Sequence, residues 1–458
     1  MMTPHPKLLS ARQLTFMALG MSIGVGLFLG SATAIKAAGP SVLLAYLVCG
    51  GVIFLIMRAL GEMTVHHPVT GSFAAYAREY LGPYAGYLSS WNYWILMVGV
   101  GIAESTAVGV YMKVWFPDVP QWIWVFSSIA SICLLNLMAV KIFGETEFWF
   151  ALIKVVTIVA LILGGLGMIM MGLGNGGVPI GWSNLWQHGG WFPNGFTGVL
   201  LALPVVAYSF AGVEMIGIAA AEAENPGRTI PRAVNSVLWR ILLFYVAAVG
   251  VILAIYPWNE LGTQGSPFVM TFEKLGIREA AGIINFVVIT AALSSFNCIL
   301  FSGARILKSL ADSHQAPAVF RAVRPNGVPA LAVLATVVCM GLGVLLNYVV
   351  PDEAFGWMMS ILAFNVVWTW AMIVLTWMAF RRRQRARGEQ SAFALPLPGV
   401  TPYISLLFIG FVFFMLGYGE SSRVSLYAGV SWMALISVVY VLRVRPLTRA
   451  RAAARGQA

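Results

Sequence analysis

Charge is scarce in this chain. Only 10% of its 458 residues are Asp, Glu, Lys or Arg, and 59% are hydrophobic, whereas a soluble protein carries roughly a quarter charged residues. A chain so poor in charge has no polar coat to present to water on every side, which excludes an ordinary soluble domain. Cysteine is sparse too: the four, Cys49, Cys133, Cys298 and Cys339, fall inside apolar runs, so no disulfide framework is implied. His66 and His67 have no companion ligands at metal spacing, and no metal site is expected. There is no His-Glu-x-x-His pair and no phosphate-cradling loop, which argues against an intramembrane enzyme and against a cofactor. A repeated filter of carbonyls or charges, the mark of an ion channel, is also missing.

Long apolar runs are what the chain has instead. A helix crosses a hydrocarbon core of about 30 Å with about 20 residues. Twelve segments qualify: 14–35, 41–57, 87–112, 119–140, 148–171, 196–221, 241–258, 280–304, 325–350, 354–380, 400–418 and 424–442. None sustains the period-two alternation of a barrel strand. The expected fold class is therefore all-α integral membrane with twelve transmembrane helices. The first run follows Lys7 and Arg12 and opens a series of similar runs, so it reads as span 1 and not as a cleaved leader. The net charge of +11 invites a nucleic-acid partner, but its distribution points to a lipid bilayer. With the N-terminus inside, 22 of the 28 Lys and Arg fall inside and five (Lys36, Lys113, Lys274, Arg278, Arg423) outside, with Lys154 left within a span. That is the positive-inside pattern, and it places both termini in the cytoplasm. The longest loops are expected at 172–195 outside and at 222–237 and 308–324 inside. His66 and His67 fall in an inner loop, and Arg58 with Glu62, four residues apart, reads as an interfacial ion pair.

Two spans are interrupted. Span 1 carries Gly20-Met21-Ser22-Ile23-Gly24-Val25-Gly26, and span 6 carries Pro204 followed by Tyr208-Ser209-Phe210-Ala211-Gly212. Small residues at close helix contacts are the plain reading of each motif alone. Their correspondence suggests more, because they open two successive five-span sets, and paired broken helices point to a transporter site near the midplane. Span 1 runs outward, so a break near Gly24 leaves a helix N-terminus at mid-membrane, where free amides favour a carboxylate. Span 6 runs inward, so a break near Ala211 leaves helix C-terminal carbonyls beside it, which favour an ammonium. Together they suit a zwitterion.

At these residues the chain resembles the bacterial amino acid transporter family of the amino acid–polyamine–organocation superfamily. The matching stretches are Met17-Ala18-Leu19-Gly20, Gly24-Val25-Gly26-Leu27-Phe28, Ala38-Gly39-Pro40, Arg58-Ala59-Leu60-Gly61-Glu62-Met63, Gly144-Glu145-Thr146-Glu147-Phe148-Trp149-Phe150, Glu222-Ala223-Glu224-Asn225-Pro226, Ile230-Pro231-Arg232-Ala233 and Ser266-Pro267-Phe268-Val269. One departure stands out: the family's usual Gly-Thr-Gly is here Gly-Val-Gly, which keeps the backbone donors and loses a hydroxyl. The resemblance implies two inverted five-helix repeats, residues 14–180 and 196–380, then two further helices at 390–443, between a cytoplasmic N-terminus (1–13) and a basic tail (444–458). It implies a substrate site formed by Ser22, Gly24, Val25, Gly26, Tyr208, Phe210, Ala211 and Gly212, completed from spans 3, 8 and 10. Phe210 would cover the substrate as a gate. Expected partners are an amino acid, a proton and the bilayer, with the chain a monomer or homodimer in the bacterial inner membrane.

Three charged residues lie within spans, where charge is costly and usually functional. Glu104 sits about 12 Å deep by helical rise and serves either as a proton site or as a hydrogen-bonding carboxyl that holds its helix. Glu214 follows the span 6 break; it either caps the unwound segment with a hydrogen bond or acts as the family's glutamate at that position, which it resembles, linked to gating or proton exchange. Lys154 is also about 12 Å deep, where desolvation acts against its charge and lets it exchange a proton within a cycle. Protonated, it would donate to span 1 carbonyls and to Ser294 or Ser295 of span 8. The expected function is import of an L-amino acid by proton symport; an amino acid sensor and an exchanger are the alternatives. Trp239 to Tyr245 and Tyr256 to Glu260 are similar to proline or histidine permeases, and Ser90 to Trp94 to aromatic carriers, which ranks proline or histidine first and aromatic or other neutral amino acids second.

Overall fold

The computed structural model describes residues 24–69, 71–138, 140–219, 225–261, 267–274, 280–419 and 422–446. Every regular element among them is helical. Nine stretches there are long and apolar enough to cross a membrane, and Gln121–Leu137 and Gly195–Ser209 are shorter apolar helices. The first stretch, Val25–His66, comprises α1 (Val25–Phe28), α2 (Gly30–Ala38), a tight turn at Gly39–Ser41 and α3 (Val42–His66). Then come α4 (Ser72–Tyr80), α5 (Pro83–Met112), α6 (Gln121–Leu137) and α7 (Val140–Met171).

After the loop that follows Met171 lie α8 (Gly195–Ser209) and α9 (Met215–Ala219). Next, α10 (Pro226–Arg240) passes through a π-helical stretch at Ile241–Ala247 into α11 (Ala248–Ile255). The chain continues with α12 (Pro267–Lys274), α13 (Ala280–Asp312), α14 (Ala330–Met340), α15 (Leu342–Val349), α16 (Ala354–Ala386), α17 (Thr401–Tyr418) and α18 (Arg423–Val439). Proline sits in the first turn of α5, α10 and α17, where its missing N–H has no intrahelical partner to lose.

Burial separates the centre from the lipid face. The most apolar windows of α5 and α13 are 83% buried, against 22% for the stretch that begins with α18. On α17 and α18, Leu407, Phe414, Tyr427 and Leu435 stand exposed, as side chains facing hydrocarbon do. Polar side chains join the buried faces, where hydrocarbon offers them no alternative partner. Asn136 donates to Asn297 Oδ1 at 2.8 Å, Asn347 donates to Thr106 Oγ1 at 2.8 Å, and Asn92 donates to the Asn365 carbonyl at 3.0 Å.

Two expectations change. The segment 222–237 is not a polar loop over its described part: α10 starts at Pro226 and continues through the π-helical stretch to Ile255. Its apolar positions, Ile230, Ala233, Val234 and Val237, are buried, an amphipathic pattern whose mean hydropathy is too low to read as a span. Arg58 and Glu62 do not pair with each other. Each instead grips the segment before α17. Arg58 donates to the Ala394 carbonyl at 2.6 Å and lies 3.7 Å over the Phe393 ring. Glu62 accepts from Leu395 N at 2.9 Å, Trp377 Nε1 at 2.7 Å and Arg381 at 3.2 Å. His66 ends α3, with Glu389 at 3.6 Å, and His67 lies 3.7 Å from Glu79.

Candidate functional site

Both interruptions are present. Gly24 is extended (φ −108°, ψ −168°) and α1 starts at the next residue. Opposite it, α8 ends at Ser209, residues 210–214 are non-helical, and the chain resumes as α9 at Met215. Gly212 has φ +96°, a conformation costly for residues with a Cβ. The two broken helices meet at backbone distance: a Cβ on Gly26 would lie 2.9 Å from Ser209 Cα. Ser209 Oγ donates to the Gly26 carbonyl at 3.0 Å, and the Ser209 carbonyl accepts from Tyr245 OH at 2.8 Å.

A cavity of about 20 Å³ lies where the breaks face each other. Gly24, Gly26, Tyr208, Ala211 and Gly212 supply one side, Glu104 a carboxyl, and Met97, Val100 and Ile299 an apolar wall. That volume holds about one water and is too small for an amino acid. Glu104 accepts from the Val25 N–H at 3.4 Å, placing a carboxyl at the N-terminus of α1. Phe210 is buried outside this lining, with ring centroids 4.4 Å from Tyr245 and 6.1 Å from Tyr46. Ser22 lies outside the described residues.

The buried charges gather behind Gly24. Lys154 Nζ donates to Ser295 Oγ at 3.2 Å, and a Cβ on Gly24 would stand 3.1 Å from that same oxygen and 2.5 Å from Glu104 Oε1. Ser294 Oγ donates to Glu147 Oε1 at 2.5 Å. The charges of Glu147 and Glu104 both act on Lys154, and all three side chains are buried. Glu147 enters the sequence reading only as part of a motif. Its signal is the seven-residue spacing to Lys154, two turns of one helix and hence one face. Glu214 lies in the non-helical stretch between α8 and α9, where its Oε1 accepts from the Gly212 N–H at 3.2 Å. Among the described residues no cluster of three His, Cys, Asp or Glu is placed to hold a metal.

A multi-pass helical protein with a small polar cavity between two interrupted spans is built as a membrane transporter. The chain belongs to the amino acid permease family, whose profile matches residues 13–449. It is 51% identical over 433 residues to the uncharacterized amino acid permease YtnA of Bacillus subtilis, covering 94% of each chain. It is 46% identical over 432 residues to the probable threonine/serine transporter YbxG of the same organism, again covering 94% of each. The aromatic amino acid transport protein AroP of Escherichia coli is 42% identical over 435 residues, 95% of each chain. The family and these relatives transport amino acids; they are not enzymes.

Proposed function

We propose that this chain is a secondary active transporter that imports a neutral L-amino acid by proton symport and alternating access, with both termini in the cytoplasm of a bacterial cell. The observation that carries this reading is the meeting of two broken helices around one cavity, with a buried lysine one serine away. In this reading the chain has twelve spans. Residues 14–180 and 196–380 form the two inverted repeats, and 390–443 the last pair of helices. The substrate carboxylate docks at the amides of Val25 and Gly26, replacing the Glu104 carboxyl at Val25, and the substrate ammonium docks at the carbonyls of Tyr208 to Ala211. The apolar wall of Met97, Val100 and Ile299 favours a side chain without charge. Proline, histidine, the aromatic residues, threonine and serine are the substrates to compete against one another.

For the amino acid to fit, the cavity must open, and Phe210 is at the unwound segment where that motion occurs. Lys154 is the coupling group: protonated it holds Ser295, whose hydroxyl lies against Gly24, and deprotonated it releases that serine, a contact that differs between two states as coupling requires. Glu104 and Glu214 are the other proton sites. The test is accumulation of labelled substrate in proteoliposomes under an imposed pH gradient, with and without sodium, in wild type and Lys154→Ala. Gradient-driven accumulation without sodium, lost in the variant, is the expected outcome. Sodium dependence, or undiminished accumulation in Lys154→Ala, removes Lys154 from the mechanism. Binding without accumulation makes the chain a sensor, and uptake only against preloaded substrate an exchanger.

A further inference from the structure

A second cavity, of about 590 Å³, lies far along the chain from the substrate site, between the arginine-rich end of α16 and the start of α17. Trp377, Pro402 and Tyr403 form part of its wall, and Arg381, Arg382 and Arg385 supply its charge. Tyr403 is 60% exposed, so this wall is continuous with the face that meets lipid. The three arginines are poorly neutralised. Arg381 shares one nitrogen between Glu62 and Gln384, while its buried Nε has no acceptor. Arg382 and Arg385 have no carboxylate partner among the described residues; the nearby Glu389 pairs with Arg387 and His66. Arg381 and Arg385 are four apart on one helix, where like charges destabilise. The amides of Thr401, Tyr403 and Ile404 are already bonded within their own turn, so the arginines supply the positive charge for an anion.

A space with cationic guanidinium groups on one side and an aromatic, lipid-facing wall on the other fits an amphiphile of negative charge. Guanidinium binds phosphate oxygens through paired N–H donors, and basic pockets between membrane helices take anionic headgroups. We propose that this cavity holds the phosphate headgroup of an anionic phospholipid, its acyl chains lying against the Trp377 and Tyr403 side. The occupant would touch the grip that Glu62 makes on Arg381, Trp377 and Leu395, and so brace α3, α16 and the segment leading into α17.

The test uses full-length protein in phosphatidylcholine nanodiscs with and without phosphatidylglycerol, read by native mass spectrometry for retained lipid and by thermal unfolding. Wild type retains phosphatidylglycerol and unfolds at higher temperature with it. At about a factor of five per arginine, Arg382→Ala/Arg385→Ala weakens retention about twenty-five-fold. Arg382→Lys/Arg385→Lys keeps most of it, and Arg443→Ala/Arg445→Ala, with equal loss of charge, leaves it unchanged. Equal losses in the two alanine pairs would mean general surface attraction and overturn the site. So would protection by inorganic phosphate alone, which would assign the cavity to the free ion. If the alanine variant does not fold, a photoactivatable phosphatidylglycerol on wild type decides: labelling of 377–385 and 398–403 supports the site, and labelling only elsewhere refutes it.

Discussion

At Gly26 one added carbon decides whether the two interrupted helices can meet. Its Cβ would stand 2.9 Å from Ser209 Cα, a backbone atom that cannot rotate away, so α1 and α8 must part. Overpacking a tight contact costs about 1–3 kcal/mol, and here the strain falls on the two helix ends that frame the cavity. Gly26→Ala is therefore expected to lower substrate affinity at least about tenfold, equivalent to about 1.4 kcal/mol, while the purified protein stays monodisperse. Normal binding by this variant would place the substrate elsewhere. Gly26→Leu, with a larger side chain in the same space, is expected to abolish binding altogether.

At the scale of elements, the grip of Glu62 on three different segments is the clearest structural dependence. Glu62 is 1% exposed and accepts from Arg381, Trp377 and Leu395. Glu62→Gln keeps a single acceptor oxygen and turns an amide towards donors. Breaking a buried pair costs about 3–5 kcal/mol, and because Arg381 is partly exposed a loss of about 2–3 kcal/mol is expected, seen as a lower midpoint in a thermal aggregation assay. An unchanged midpoint would show that the grip contributes nothing. Both interruptions are legible in the sequence, because Gly24-Val25-Gly26 in one apolar run and Pro204 with Gly212 in the other stand out as helix breakers. The short helices α4 and α12 are not. Their buried faces, such as Phe73 against Tyr93 at 4.8 Å and Phe268 against Phe28 at 4.8 Å, alternate with polar positions over only two turns, which leaves hydropathy near that of a loop. Arg58 and Glu62 suit an ion pair by spacing alone. Their partners lie far along the chain, Asn235 and Ala394 for Arg58 and Trp377, Arg381 and Leu395 for Glu62, beyond the reach of any local pattern.

At the scale of the molecule, the basic residues set how the chain crosses the membrane. An alkaline phosphatase fused after Gly174 is expected to be active and a fluorescent protein fused after Gly388 to fluoresce; the reverse at either point would invert the orientation. The most direct test of the substrate site is alkylation of Ala211→Cys by a small thiol reagent, with wild type as the control for the four native cysteines, of which Cys49, Cys133 and Cys298 are buried and Cys339 half-buried. Ala211 lines the cavity between the two breaks, so a transported amino acid is expected to slow labelling over the same concentration range that saturates its uptake, while a non-transported one has no effect. Labelling at the same rate with and without saturating substrate would contradict a site between these helices.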